Sequence, residues 1–186
     1  MSRLSFVLAA ALALGFGGAV HATTLAIAPN DGWHAFDVDD FTAASGGTEW
    51  IDLGDGSPLS FSVTTSVAAT LTVVDGGFAG DTFHVTDNGA LIGTTSSVPQ
   101  GNVVDSVGTN FDAALASGNY SFATFLLSAG THLISGSLAQ SLLLNGEPLN
   151  ATVGGLRVSA VPLPATLPLL LSGGWLVGLI RRRRAV

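Results

Sequence analysis

The residues best equipped for chemistry in this chain are carboxylates. Asp37, Asp39 and Asp40 lie in one short stretch with Trp33, His34 and Phe36, and Asp52 and Asp55 follow in a turn. On a strand, Asp37 and Asp39 project from one face, because successive side chains alternate. Hard oxygen donors at that spacing suit Ca²⁺. An EF-hand loop is excluded: Phe41 stands at the fifth position and no glycine falls at the sixth. Asp75, Asp81 and Asp87 make a second candidate oxygen set around one hairpin. The plainer reading of both sets, turn chemistry plus a solvated acidic face, is preferred, and calcium stays as the one candidate cofactor.

Other chemistries find less support. His34, His84 and His132 sit on separate predicted strands, with no ligand spacing between them. No Gly-x-Ser-x-Gly elbow occurs, and the absence of cysteine rules out thiolate catalysis, Cys-based zinc sites and disulfides. All thirteen acids lie between Arg3 and Arg181, with Arg157 the one base among them, and there is no lysine. Cationic stabilisation of an oxyanion or phosphate therefore has almost nothing to work with, and the basic footprint of a nucleic-acid binder is missing. Acids for glycoside hydrolysis are plentiful, but no assembled motif points to a hydrolase. Trp33, Trp50 and Tyr120 are candidates for a sugar-stacking platform, although aromatics on strands more often fill a core. The chain is read as non-catalytic.

The elements that must position these residues are strands. Residues 59–63, 69–73 and 120–125 alternate apolar with small polar side chains, the pattern of half-buried strands. Further strands are expected at 24–28, 33–38, 49–53, 132–138, 140–144 and 155–159, and a helical turn or two at 111–116. Asn88-Gly89 between 81–87 and 90–95 predicts a hairpin closed by a type I′ turn. Asp55-Gly56, Asp75-Gly76-Gly77 and Asn145-Gly146 add turn signals. Many short strands without βαβ alternation predict an all-β, antiparallel β-sandwich of jelly-roll type. Residues 23–160 have the size of a single domain.

The two ends have a different character. Residues 1–22 read as a signal peptide, with Arg3 as the basic start, an apolar stretch from Leu4 to Phe16, and cleavage expected after Ala22. That stretch is about 13 residues, well short of the ~20 that span a bilayer. At the other end, residues 161–180 carry no charge and would reach about 30 Å as a helix, the thickness of a hydrocarbon core, and Ala165 to Ile180 are expected to form the one transient transmembrane span. Arg181, Arg182, Arg183 and Arg184 follow directly, which keeps that edge in the cytoplasm and places the preceding domain outside.

A plain anchor does not account for the Pro-x-Pro step just before the span. Val161-Pro162-Leu163-Pro164, the Leu169-Leu170-Leu171-Ser172-Gly173 continuation and the arginine cluster together resemble the PEP-CTERM sorting signal of Gram-negative bacteria. Leu163 stands where the family name implies Glu, making this a Pro-Leu-Pro variant. The resemblance covers residues 161–186. It implies processing by an exosortase at the inner membrane, with Val161 to Pro164 as the recognised step and the four arginines as the retention signal. It also implies a final location at the cell surface or in an extracellular matrix, with exopolysaccharide as a partner. Two prolines one residue apart hold the step near polyproline II, open to an enzyme's grip. The expected function is that of an exported surface or matrix protein. A carbohydrate- or calcium-binding module on the same scaffold is the first alternative, and a small secreted hydrolase the second.

Overall fold

The computed structural model describes residues 21–101 and 105–161. The leader through residue 20, the tail from Pro162 with its proline step and apolar stretch, and the arginines at 181–184 lie outside the described residues. Among the described residues, no helix is long and apolar enough to cross a membrane.

Two sheets form the body. The first runs in the order β1 (Thr23–Ile27), β3 (Leu59–Thr65), β10 (Gly130–Gln140), β6 (Thr82–Asp87), β7 (Ala90–Thr94). The second runs β2 (His34–Asp39), β13 (Ala151–Ala160), β4 (Ala69–Asp75), β9 (Phe122–Leu127). Two small ribbons border them: β5 (Gly77–Phe78) pairs with β8 (Ser106–Gly108), and β11 (Leu143–Leu144) with β12 (Glu147–Pro148). The architecture is a mostly β, sandwich-like stack of sheets. Its one helix among the described residues, α1 (Phe111–Ser117), is capped by the Asn110 side chain, which accepts from the Ala113 amide, and ends on Gly118 in the left-handed region.

Alternation decides which side chains meet between the sheets. Leu59, Phe61 and Val63 of β3 point inward, as do Ala69, Leu71 and Val73 of β4, while the polar residues between them reach outward. Burying each large side chain contributes roughly 1.5–3 kcal/mol. At the centre Phe36 and Trp50 stack with ring centroids 3.9 Å apart. Glycines make room for this stack from both sides. A Cβ on Gly154, the cross-strand partner of Phe36, would run into the Phe36 ring. A Cβ on Gly136 would lie 2.5 Å from the Trp50 indole.

Three expectations need correction. The sandwich is not wholly antiparallel, because β1 pairs with β3 in parallel, Thr23 opposite Leu59 through Ile27 opposite Val63. Residues 49–53 form isolated bridges instead of a strand. Their backbone is shared between the sheets: the Trp50 amide donates to the Gly136 carbonyl, while Ile51 exchanges two bonds with Asp37. The segment at 132–138 belongs to β10, which runs on to Gln140 with a register shift between Leu138 and Gln140, whereas the segment expected at 140–144 is broken after Gln140 and contributes only the short strand β11. The hairpin turn agrees with expectation, with φ of 50° at Asn88 and 80° at Gly89.

Candidate functional site

The carboxylates fall into three separate settings. The first is an open cleft of about 530 Å³ lined by Asp37, Asp39, Asp55, Thr42, Leu53 and Thr152. Phe36 and Val38 face the core, so strand alternation turns Asp37 and Asp39 outward together. Loop residues 52–57 bring Asp55 to the same cleft and Asp52 close to Asp37. Partial burial, reinforced by the neighbouring charges of Asp39 and Asp52, pushes the Asp37 carboxyl up to about 6.

The other acids of this group have local work. Asp39 Oδ1 accepts from the Phe41 and Thr42 amides, Asp52 Oδ1 from Gly54, and Asp55 Oδ1 from Ser57. The Ser57 bonds hold the exposed Asp55 carboxyl below its ordinary range. Asp40 Oδ2 accepts from the Asn150 side chain. The bonds of Asp39, Asp52 and Asp55 are the self-bonding turns that Asp forms readily, while that of Asp40 joins residues 110 apart in the chain. The cleft is therefore an acidic basin in which Asp37 exchanges a proton near neutrality while its neighbours fix loops. Among the described residues, no group of three or more His, Cys, Asp or Glu side chains is arranged to hold a metal ion.

The second setting is a buried pair. Asp75 ends β4 and Asp81 precedes β6, and both are almost fully excluded from solvent. Asp75 Oδ2 accepts from the Gly80 and Asp81 amides, each at 3.3 Å, and Asp81 Oδ1 accepts from the Leu142 amide at 2.7 Å. The Thr152 hydroxyl lies beside both carboxyls, 3.5 Å from Asp75 Oδ1. Desolvation, with the Asp81 charge added, pushes Asp75 up to about 9. Asp81 is also raised, by desolvation that the Leu142 and Thr152 bonds only partly oppose. Asp75 therefore carries a proton at neutral pH and works as an internal clasp between loops.

The third setting separates Asp87 from the other two members of its predicted set. Asp87 Oδ2 meets His132 Nδ1 at 2.6 Å across β6 and β10, and His132 Nε2 lies 3.0 Å from the Ser128 carbonyl. A carbonyl only accepts, so Nε2 carries a hydrogen; an ionised carboxylate also only accepts, so Nδ1 carries one too. The geometry is that of an imidazolium–carboxylate pair. Burial alone would lower the His132 pKa, but Asp87 and the Ser128 carbonyl outweigh it and the net shift is upward. No local pattern announces this pair, since 45 residues separate the partners.

The remaining candidates are mostly absorbed by packing. His84 is exposed with Nδ1 2.9 Å from the Thr94 hydroxyl, and His34 packs beside Phe61. Trp50 and Tyr120 are buried, so they form no stacking platform with Trp33. Trp33 instead lies under Arg157, whose guanidinium carbon is 4.4 Å from the ring centroid. Asp112 Oδ1 accepts from both the Trp33 indole and Arg157, at 3.0 and 3.1 Å. Ala22 is exposed and immediately precedes β1, and Val161 follows β13 directly, its amide donating to the Ala68 carbonyl.

No known family model matches the chain, and no curated protein matches it. Among solved structures it is similar to the pre-peptidase C-terminal domain of a collagenase from Bacillus anthracis. The likeness covers 75% of this chain and 97% of that one, at 12% sequence identity and a TM-score of 0.38.

Proposed function

We propose that the chain is an exported, non-catalytic surface or matrix protein whose jelly-roll-like body is delivered by a cleaved leader and a C-terminal PEP-CTERM signal processed by an exosortase. The observation that carries this reading is where the body meets its two ends. Its first strand starts at Thr23, one residue past the expected cleavage point, and its last ends at Ala160, one residue before the proline step. Both Thr23 and Ala160 are tied in, Thr23 to the Pro58 carbonyl and Ala160 to the Asn30 side chain. Removal of either end thus leaves the described sheets intact, as a cargo domain requires.

The test is mass spectrometry of the native termini in exosortase-positive and exosortase-deficient cells. Loss of the arginines at 181–184 only where exosortase is present supports the proposal. Their equal persistence in both strains refutes processing and leaves a simple anchor.

A second reading, a calcium-binding module, draws on the acidic cleft around Asp37. Mutual repulsion between Asp37, Asp39 and Asp52 favours any bound cation. Calorimetric titration with Ca²⁺ decides it: heat and a raised melting temperature in the parent, both lost in Asp37→Asn, support it, and no heat in the parent removes it.

A further inference from the structure

The sandwich has two unlike ends. At the end where β13 begins, Ala151 is paired with Asp39 and shares the open cleft with Asp37 and Asp55, Asp52 lies close to Asp37, and Asp40 is bonded to Asn150; the buried Asp75 and Asp81 lie behind this surface and add no exposed charge. At the opposite end Ala160 is paired with Ala69, and the adjoining turns at 66–68 and 128–129 are built from Ser, Val and Ala. Asp31 and Asp87 lie toward that end, as does Asp112, which is paired with Arg157 of β13. Asp31 accepts from the Ala28 amide and Asp87 is held by His132. The chain leaves from this neutral end, where Val161 bonds to Ala68.

From these positions we infer that, before processing, the body stands on the outer phospholipid surface, with the 66–68 and 128–129 turns against the headgroups and the acidic end directed outward. The inference rests on the proposed reading of residues 165–180 as a membrane span. Four residues, 161–164, separate Ala160 from that span, and fully extended they reach about 14 Å. The body therefore cannot move far from the lipid. The ten residues of β13 put the acidic end about 33 Å beyond the exit point. At ~8–10 Å Debye screening, carboxylates at that distance feel little of an anionic headgroup layer. The reverse orientation would press a crowded set of carboxylates onto anionic lipid and would also require the chain to run back along the whole body. Short tether and charge asymmetry thus select the same orientation.

The chain contains no cysteine, so single labels are unambiguous. Ser66→Cys and Ser128→Cys mark the neutral end and Ala44→Cys the acidic end, all at exposed positions. The full-length variants, each labelled with a fluorophore, are reconstituted into phosphatidylethanolamine–phosphatidylglycerol vesicles containing a headgroup-attached spin-label quencher. Circular dichroism checks that each folds, and flotation that each is vesicle-bound. The expected result is quenching at least about three-fold stronger at 66 and 128 than at 44, since contact quenching falls off well within the ~33 Å between the ends. Equal or reversed quenching in floating vesicles overturns the orientation while leaving the anchor intact. Failure to float overturns the anchor reading and the orientation with it.

Discussion

Replacing Asp75 with Asn should flatten the pH dependence of stability and raise stability at neutral pH. Asp75 is fully buried, and desolvation together with Asp81 lifts its carboxyl to about 9, against an ordinary value of 3.8. Between those values the folded state holds a proton that the unfolded chain has released. Stability must then fall as pH rises through that window, by up to about 1.4 kcal/mol per pH unit for one group. From pH 5 to pH 7 the loss is roughly 2–3 kcal/mol. In Asp75→Asn the new side-chain amide oxygen can accept from the Gly80 and Asp81 amides as the protonated acid does, and its NH₂ faces the Thr152 hydroxyl, with nothing left to ionise. The assay is urea denaturation followed by far-ultraviolet circular dichroism at several pH values from 5 to 8. Parallel pH profiles for parent and variant would refute the buried-proton argument, whatever the absolute stabilities.

Asp87→Asn should cost about 2–4 kcal/mol near pH 5.5 by breaking a buried pair. Because the folded His132 pKa lies above its ordinary 6.5, the pair's contribution is complete below about 6.5 and fades as pH rises through the folded value, so the same denaturation assay should show a smaller loss near pH 9. Gly136→Ala should destabilise by about 1–3 kcal/mol at every pH, since its Cβ would meet the Trp50 ring and the His84 carbonyl; an unchanged melting temperature would contradict the packing described. Arg157→Met should cost only about 0.5–1 kcal/mol, because the ion pair with Asp112 is exposed and the contact over Trp33 is single, and thermal melts in low and high salt should separate the two contributions.

What the sequence by itself determined was local. Alternation in residues 59–63 and 69–73 placed β3 and β4, because a strand with one buried face must repeat every two residues. Asn88-Gly89 placed a turn, because few residue pairs tolerate two positive φ angles. The same alternation put Asp37 and Asp39 on one outward face. Tertiary structure alone decided the pairings across distance. Residues 49–53 look like a strand, yet Trp50 is drawn between the sheets and its backbone is divided between both, an outcome set by where Gly136 and Gly154 leave room. Asp75, Asp81 and Asp87 look like one oxygen set around a hairpin. Burial makes a proton-holding pair of the first two, and His132, arriving from β10, takes the third. Local pattern fixes which face a side chain is on; only the stacking of the sheets fixes what it meets there.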